Sequence, residues 1–323
     1  MSAPAEPVRT GITVVFNPNA GKGKGKFLFS RVEKTLKTQG LVFDVFETTG
    51  PRHATDLARV AAERNCPLVV AVGGDGTVRE VVNGLAGSQT VLGIIPIGSG
   101  NDFTKSTGVP RDIGAACTVI KQGRVREFDL GRIGTTYFAN AVGIGYDALV
   151  VVEANRIRWL RGLPLYLAAV LRAIFRFDCP KTTIELIEAQ AATVCNKTQL
   201  DFASAPVQPA LKWDQAILMV ACANGHHYGG GFHIAPSAQA DDGWLEVCVV
   251  DHVTRLRILQ KLLYVIRGTH AQLPEVRFFR ARKIRLSSED VLYVQADGDL
   301  LPEADPHELG IEVLPRALKL LVP

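Results

Sequence analysis

The sequence predicts an α/β protein with two domains. The first is a doubly wound domain around a parallel sheet, and the second is mainly an antiparallel β-sandwich. The chain has 323 residues, which is enough for two domains, and its 47% hydrophobic and 21% charged residues are typical of globular proteins. Short apolar runs alternate with helical patterns up to about residue 128, whereas short strands between Gly, Pro and Asp turns dominate from residue 129 onward.

The N-terminal domain is predicted over residues 10–128 and begins with a β-branched run at 12–16. Apolar residues then recur at helical spacing over 27–38, so a helix is expected there. The alternation continues with strands predicted at 42–46, 68–72 and 91–95, and with helices at 54–64 and 77–85. Strands that alternate with helices at this spacing favour parallel pairing, because each helix returns the chain to the start of the next strand.

The C-terminal domain is predicted over residues 129–304. Its strands are expected at 137–142, 182–187, 216–223, 244–250, 283–286 and 292–295. The polar segment 189–209 is interpreted as a surface insertion. Two last apolar runs, 311–314 and 318–322, fall in a tail of residues 305–323, whose return to the first domain stays open.

One helix is expected inside the second domain, at residues 160–174, and Pro164 suits its first turn. Its apolar positions, spaced by three and four residues, are Leu160, Leu163, Leu167, Val170, Leu171 and Ile174. The arginines around them are Arg156, Arg158, Arg161, Arg172 and Arg176. Either this is a core helix with solvated arginines, or its apolar face meets lipid. At roughly 14 residues it would be about 21 Å long, too short to span a bilayer.

Net charge and cysteine content argue against several classes of protein. A formal net charge of +4 permits attraction to anionic phosphates or lipid headgroups but does not indicate a nucleic-acid-binding protein. The six cysteines form no C-x-x-C pair, which favours buried thiols in a reduced, cytoplasmic setting over a zinc site or disulfide framework. Residues 1–9 lack the apolar core of a signal peptide, and no apolar stretch approaches the ~20 residues of a transmembrane helix.

Residues 72–77 read Val-Gly-Gly-Asp-Gly-Thr, between a buried strand and a helix. Glycines let the backbone approach a ligand, and a helix start offers N–H groups and a positive dipole end to phosphate oxygens. Asp75 is well placed there for Mg²⁺, a metal-bound water or a substrate hydroxyl. Thr77 and Glu80 fit a capping box, which predicts that the helix begins near Thr77. A turn that merely needs glycine is the simpler alternative.

Two further glycine-containing loops follow other strands of the predicted sheet. Residues 17–26 read Asn-Pro-Asn-Ala-Gly-Lys-Gly-Lys-Gly-Lys, and residues 96–102 read Pro-Ile-Gly-Ser-Gly-Asn-Asp. Because open α/β sheets bind ligands beyond the carboxyl ends of their strands, three such loops would form a polyphosphate site. The absence of the Walker and G-x-G-x-x-G patterns disfavours P-loop and dinucleotide-binding proteins. Lys22, Lys24 and Lys26 fit either this site or a membrane-steering patch.

Seven short motifs rich in Gly and Asp occur along almost the whole chain, at residues 17–21, 73–77, 98–102, 143–148, 229–236, 241–245 and 295–299. Each is weak by itself, but their number and order are specific. Together they resemble the diacylglycerol kinase catalytic family, which includes bacterial lipid kinases and sphingosine and ceramide kinases. The chain is more distantly similar to NAD kinases.

The resemblance implies that the first domain is a nucleotide-binding domain for ATP and Mg²⁺. Positions that match the ATP-binding residues of the family are Asn17, Pro18, Asn19, Ala20, Gly21, Thr48, Gly73, Gly74, Asp75, Gly76, Thr77, Val78, Arg79, Ser99, Asn101 and Asp102. Asp297 and Asp299 match the Asp-Gly-acid motif implicated as general base for the lipid hydroxyl, so the implied catalytic residues are these two and Asp75. Asp242, with the main-chain oxygens of Gln239 and Trp244, matches a second-domain metal site of bacterial members.

Three positions depart from the family pattern. Ser99 replaces the usual Thr and keeps the hydroxyl, whereas Arg79 stands where bacterial relatives often have Asn. Asp299 replaces the usual Glu, which leaves open whether Asp297 or Asp299 acts as the base. Without the other motifs, Asp297-Gly298 and Asp242-Gly243 would each be interpreted as ordinary hairpin turns.

These inferences predict an ATP-dependent phosphotransferase that acts on the hydroxyl of a diacylglycerol-like lipid at a membrane surface. Backbone amides, Mg²⁺ and a carboxylate can supply the alignment and charge neutralisation that phosphoryl transfer needs. We expect a cytoplasmic protein with peripheral membrane contact and no nucleic-acid partner, and a homodimer stays open. The rivals are a kinase for sphingoid bases or other lipid alcohols, an NAD kinase-like enzyme, and a nucleotide-binding regulator that has lost catalysis.

Overall fold

Parallel strands form the centre of the first of two units into which the chain divides. The computed structural model describes residues 11–157, 160, 163–195, 199–226, 234–267 and 269–323. The first unit comprises Met1–Leu130 with Arg316–Pro323, and the second comprises Gly131–Pro315. Some positions singled out in the sequence lie outside the described residues, namely 1–9, Arg158, Arg161 and 229–233.

Strands and helices alternate in the first unit. In chain order they are β1 (Ile12–Phe16), α1 (Gly25–Thr38), β2 (Asp44–Glu47), α2 (His53–Glu63), β3 (Leu68–Gly73), α3 (Asp75–Leu85), β4 (Val91–Pro96), α4 (Asp102–Thr107) and α5 (Ile113–Gln122). The strands pair in the order β2–β1–β3–β4, and every one of these pairings is parallel. The parallel α/β prediction is therefore confirmed for this unit.

Apolar side chains on both sides of the strands explain why the sheet is buried. Val14, Val70 and Val72 share one cluster with Val32 and Leu36 of α1 and with residues of α5. The helical spacing of α1 places Val32 and Leu36 on one face, because residues four apart lie one above the other. Helices α2 and α3 pack against each other and against strands β1 and β3.

The start of α3 differs from the capping-box prediction, which was wrong. The helix begins at Asp75, two residues earlier than expected, and Gly74 precedes it without a side-chain cap. The carboxylate of Glu80 instead accepts the main-chain N–H groups of Arg52 and Ala54 at 3.0 and 3.1 Å, at the start of α2. Glu80 therefore caps a neighbouring helix rather than its own.

Helices α4 and α5 were not predicted, although α5 has a recognisable start. The side chain of Asp112, directly before α5, accepts the N–H of Ala115 at 2.9 Å. Asp is a preferred residue at this position because its oxygen satisfies one of the four unpaired N–H groups of a helix start.

The second unit is dominated by antiparallel strands. Its elements are the end of β5 (Arg124–Ile133), β6 (Thr136–Phe138), β7 (Ala141–Gly145), α6 (Tyr146–Arg156), α7 (Leu163–Arg176), β8 (Lys181–Ala191), β9 (Thr193–Val194), β10 (Leu200–Asp201), β11 (Gln208–Ala223), β12 (Leu245–Asp251), α8 (Arg255–Ile266), β13 (Val276–Ser288), β14 (Val294–Ala296), β15 (Asp299–Leu300) and the start of β16 (Glu308–Val322). Strand β11 pairs with β7, β8 and β12, and β13 pairs with β8, β12 and β16, all antiparallel.

Two predictions for this unit need correction. The polar segment 189–209 is not an irregular insertion, because it contains the end of β8, the short β9–β10 hairpin and the start of β11. The two last apolar runs form one strand, β16, whose residues 308–312 pair with β13 and whose residues 319–320 pair in parallel with β4. Helices α6 and α8 were not predicted.

The apolar residues of α7 lie on two sides of the helix rather than on the single predicted face. Val170 and Ile174 are buried, whereas Leu167 and Leu171 are exposed. The buried residues agree with a core helix, and the exposed ones agree with a helix that meets lipid. Both interpretations of this helix therefore stay open. Within the part of the chain that the structure describes, no helix has the length and apolarity needed to cross a bilayer.

Candidate functional site

Asp75 joins two loops of the first unit. Its Oδ2 accepts the main-chain N–H of Asn101, and its Oδ1 accepts that of Asp102, both at 2.6 Å. Burial raises the pKa of Asp75 above its usual value, while these two amide hydrogen bonds act in the opposite direction by stabilising the carboxylate. Each carboxylate oxygen has two lone pairs, so both oxygens can also face a cation or a hydroxyl.

Glycine is required where these two loops approach each other. A Cβ added to Gly98 would lie 2.4 Å from the Cα of Gly74, and one added to Gly100 would lie 2.5 Å from the Oδ2 of Asp75. Either contact is shorter than any real Cβ contact, so a larger residue would separate the loops. The Gly-rich sequences therefore let the backbone after β4 lie directly on the start of α3.

Asn17 connects the loop after β1 to the same helix. Its Nδ2 donates to the hydroxyl of Thr77 at 2.9 Å, and its Oδ1 accepts the N–H of Asn19 at the same distance. Its own N–H donates to the carbonyl of Val72 at 3.1 Å, at the end of β3. The N–H of Thr48, after β2, donates to the carbonyl of Phe16 at 2.8 Å. These bonds join the loops after the first three strands.

The predicted cofactor-binding residues therefore lie together at the carboxyl edge of the parallel sheet. Pro18, Ala20 and Gly21 belong to the loop after β1, while Gly73 and Gly76 flank the start of α3. Thr77 and Val78 are buried on the first turn of α3, and the main-chain N–H of Val78 donates to the carbonyl of Gly74 at 3.0 Å. Arg79 follows on the same turn, and Ser99 is exposed in the loop after β4. Glycine turns beside a helix start can bind anions through main-chain N–H groups.

Asp297 occupies a tight turn in the second unit. Its Oδ1 accepts the main-chain N–H groups of Asn140 and Ala141, both at 2.9 Å, and its Oδ2 accepts that of Ala139 at 2.8 Å. The φ angles of Asp297 and Gly298 are 49° and 90°, the combination of signs found in type I′ hairpin turns, and the turn joins β14 to β15. The carboxylate therefore fixes the start of β7 to this hairpin.

Asp299 has a different environment from Asp297. It lies on β15, opposite Ala296 of β14, and it is exposed. The carboxylate of Asp299 is therefore accessible from solvent, unlike the groups that hold the turn. The two acids of this motif thus differ in environment: Asp297 accepts main-chain N–H groups, and Asp299 is exposed to solvent.

Asp147 belongs to the motif at residues 143–148, and no role was predicted for it. It lies on the first turn of α6, where its Oδ2 accepts the side-chain Nε2 of Gln295 at 3.2 Å. The Oε1 of Gln295 accepts the N–H of Gly298 at 2.8 Å. Gln295 therefore links the carboxylate of Asp147 to the turn that contains Asp297. An acid after Gly-x-Gly at a helix start was the signal that could have identified it.

Asp242 has a cationic partner from the chain itself. Its Oδ1 accepts the N–H of Trp244 at 3.1 Å, and its Oδ2 lies 3.4 Å from a guanidinium nitrogen of Arg280. Gln239 lies shortly before Asp242 in the sequence and is exposed. A divalent ion on Oδ2 would be repelled by Arg280. The described residues contain no group of three or more His, Cys, Asp and Glu side chains that could hold a metal ion. The metal site that the resemblance implies at Asp242 therefore stays a prediction, in which Arg280 would compete for Oδ2.

Glu246 is buried beside this pair. It lies opposite Arg280 in the β12–β13 pairing and is almost fully buried, with the main chain of Ser237 beside its carboxylate. Burial raises the pKa of Glu246 to about 8, although the charge of Arg280 acts in the opposite direction. The folded protein therefore favours the protonated form of this carboxyl group.

Comparison with known proteins gives a consistent result for both parts of the chain. Residues 11–133 match the diacylglycerol kinase catalytic domain, and residues 140–322 match the YegS C-terminal NAD kinase beta sandwich-like domain. A diacylglycerol kinase of Mycobacterium tuberculosis (strain H37Rv) is 30% identical over 320 residues, which is 97% of this chain and 95% of that protein. A diacylglycerol kinase of Bacillus subtilis (strain 168) is 25% identical over 88% of each chain.

A similar fold has been solved. The crystal structure of a diacylglycerol kinase from Bacillus anthracis (strain Sterne) matches with a TM-score of 0.68 and covers 98% of both chains. The identity is 21%, so this likeness concerns the fold alone. It agrees with the parallel first unit and the antiparallel second unit described above.

We expect Glu246→Gln to reduce the pH dependence of stability between about pH 5 and pH 8. An unfolded Glu ionises near 4.5, whereas Glu246 in the folded chain does so at about 8. Between these values the folded state binds more protons, so the free energy of unfolding of the wild type should fall as pH rises. Thermal unfolding followed by circular dichroism at several pH values measures this slope. Glu289→Gln, at an exposed position of the same unit, is the control. Equal slopes in wild type and Glu246→Gln would contradict the prediction.

Proposed function

The chain belongs to the diacylglycerol kinase catalytic-domain family, and from this premise we propose that it is an ATP-dependent lipid kinase. It transfers the γ-phosphoryl group of ATP to the hydroxyl of a diacylglycerol-like lipid presented at a membrane surface. The observation that carries the proposal is the Asp75 carboxylate, which joins the loop after β4 to the start of α3 by two main-chain hydrogen bonds. Such a rigid, glycine-lined edge suits a polyphosphate.

The nucleotide is bound by the loops of the first unit. The turn after β1 and the turn between β3 and α3 offer main-chain N–H groups to the phosphates, and Asn17 and Thr77 keep the two turns together. Asp75 has the oxygen ligands that Mg²⁺ prefers, so it fits the cation that accompanies ATP in kinases, whereas the carboxylate of Asp102 already pairs with Lys105 at 2.7 Å. When bound, Mg²⁺ neutralises charge on the transferred phosphate.

We assign the proton acceptor to Asp299 rather than to Asp297. Three main-chain amides occupy both lone pairs of the Asp297 Oδ1 and one lone pair of its Oδ2, so this carboxylate has a single acceptor position left. Asp297 is therefore a positioning residue that holds the turn. Asp299 follows directly after that turn and is exposed, which allows a substrate hydroxyl to reach it.

An assay on purified protein tests the activity. Labelled ATP and Mg²⁺ are incubated with mixed micelles that each contain one lipid alcohol, such as a diacylglycerol, a sphingoid base or a ceramide. We expect labelled phospholipid from the diacylglycerol. Phosphorylation of NAD with no lipid product would overturn the proposal, and ATP binding without turnover of any acceptor would indicate a regulator instead.

Asp75→Ala is expected to reduce kcat/KM by at least ~100-fold, the usual effect of losing a positioned acid or charge stabiliser. The change removes the carboxylate and also releases the loop after β4 from α3. Asp56→Ala, at an exposed acid on α2 that pairs with Arg59, serves as the matched control and should leave the rate unchanged. A wild-type rate in Asp75→Ala would exclude this residue from the mechanism.

Asp297→Asn and Asp299→Asn should have different effects. Asp297→Asn places an NH2 group against at least one of three buried N–H donors and removes the charge of the acceptor, so we expect the protein to lose about 2 kcal/mol or more of stability. Asp299→Asn should keep the unfolding temperature and reduce kcat by ~100-fold. Thermal unfolding and steady-state kinetics on both variants separate the roles. A stable Asp297→Asn that is inactive, beside an active Asp299→Asn, would reverse the assignment.

A further inference from the structure

Two carboxylates of α3 hold two different loops of the first unit. Asp75, at the start of the helix, binds the loop after β4. Glu80, further along the helix, accepts the main-chain N–H groups of Arg52 and Ala54 at 3.0 and 3.1 Å, where the loop after β2 ends. We call residues 48–53 the β2 loop. Strands β2 and β4 are the first and last in the order β2–β1–β3–β4, so α3 is attached to the loops on both sides of the central strands.

The side of α3 that carries Glu80 packs closely against α2. The hydroxyl of Thr55 donates to the main-chain carbonyl of Glu80 at 2.9 Å. Gly84 lies one turn further along the same face of α3. A Cβ added to Gly84 would lie 2.5 Å from the carbonyl oxygen of Thr55 and 2.7 Å from the Cβ of Ala58, so glycine is needed for this approach. The position of α2, and with it the end of the β2 loop, is therefore fixed by α3.

His53 holds the β2 loop from within. Its Nδ1 accepts the main-chain N–H of Thr49 at 3.0 Å and lies 3.0 Å from the hydroxyl of the same residue. A ring nitrogen that accepts an N–H uses its lone pair, so the neutral ring carries its proton on Nε2. The N–H of Thr48 in turn donates to the carbonyl of Phe16 at 2.8 Å, at the end of β1. The β2 loop is thus attached at both of its ends.

The backbone of Arg52 agrees with a loop that its surroundings hold in place. Its φ angle is 65°, a left-handed conformation that residues other than glycine seldom adopt. Such a conformation persists where neighbouring contacts favour it, and it is common at ligand sites. The hydrogen bond from the N–H of Arg52 to the Glu80 carboxylate is a contact of this kind.

We propose that Glu80 and His53 are positioning residues for the nucleotide of the kinase reaction. This inference rests on the proposed function, in which Thr48 is one of the ATP-binding positions. Neither side chain has to touch the nucleotide, because Glu80 attaches the β2 loop to α3 and His53 attaches it to Thr49. If either contact is lost, the loop has to be ordered when the nucleotide binds, and this ordering lowers the affinity.

The start of α2 is a poor place for a phosphate group, in contrast to the start of α3. The Glu80 carboxylate already accepts two N–H groups there, and its negative charge repels an anion. Asp56 adds a second acid in the first turn of α2. In the proposal, the β2 loop therefore contacts the nucleotide through Thr48 and Thr49 rather than through the amides at the start of the helix.

His53→Ala and His53→Asn test the contact with Thr49. Alanine removes the acceptor, whereas the side-chain oxygen of asparagine supplies one close to the position of Nδ1. We expect the KM for ATP to rise about fivefold in His53→Ala and to return to within about twofold of the wild type in His53→Asn, with the KM for the lipid unchanged in both. A rise that asparagine does not reverse, or an equal rise in both KM values, would overturn the proposal.

Glu80→Gln tests the contact between α3 and the β2 loop. The change replaces one acceptor oxygen with an NH2 group, so one of the two main-chain donors loses its partner. We expect a non-hydrolysable ATP analogue with Mg²⁺ to bind about tenfold more weakly, as measured by isothermal titration calorimetry. Glu63→Gln, at an exposed acid near the end of α2, changes the net charge equally and should bind as the wild type does. Equal affinities in Glu80→Gln and the wild type would contradict the proposal.

Thermal unfolding of each variant separates positioning from a purely structural role. A lower unfolding temperature with an unchanged KM for ATP would assign a structural role and overturn the proposal. His53 is half-buried at the start of α2, so its two variants decide the matter even if Glu80→Gln were to unfold. Analogue binding that depends on Glu80 and His53, without phosphorylation of any lipid, would overturn the proposed function and leave the positioning role intact. Lipid phosphorylation with a wild-type KM for ATP in every variant would do the reverse.

Discussion

In each unit, a carboxylate that accepts main-chain N–H groups holds the loops on which candidate site residues lie. In the first unit Asp75 binds the amides of Asn101 and Asp102, and in the second unit Asp297 binds those of Ala139, Asn140 and Ala141. Each bond combines a charged acceptor with a fixed donor, which makes it stronger than a bond between neutral groups. Both acids therefore define where the loops lie before any ligand binds.

This constraint changes how an acid in a family motif should be interpreted. An Asp beside Gly can serve as a base, as a metal ligand or as the acceptor that fixes a turn, and sequence alone does not separate these roles. In the structure Asp297 accepts three main-chain amides, whereas Asp299 is exposed, and this difference supports the proposed division of roles. Two acids two residues apart can thus divide the positioning and the chemistry between them.

Local patterns explain which parts of the fold could be predicted from the sequence. Strands β1, β3 and β4 and the glycine loops after them have patterns that lie within a few neighbouring residues. These strands and loops could therefore be predicted from the sequence. The contact of Asp297 with Asn140 joins residues 157 positions apart, so no local pattern shows it. The same holds for Glu80, which caps α2 rather than α3, and for Arg280, which faces Asp242. Contacts between residues that are far apart in the chain determine the geometry of the site. Secondary-structure propensity, which is local, does not predict such contacts.

The two sides of α7 have different environments. The described residues include no helix with the length and apolarity needed to cross a bilayer. The reactive hydroxyl of a diacylglycerol-like lipid lies at the level where headgroups meet acyl chains. Apolar side chains flanked by cations settle at that depth. Leu171 and Phe175 are exposed, so the core of the second unit does not account for their apolar side chains.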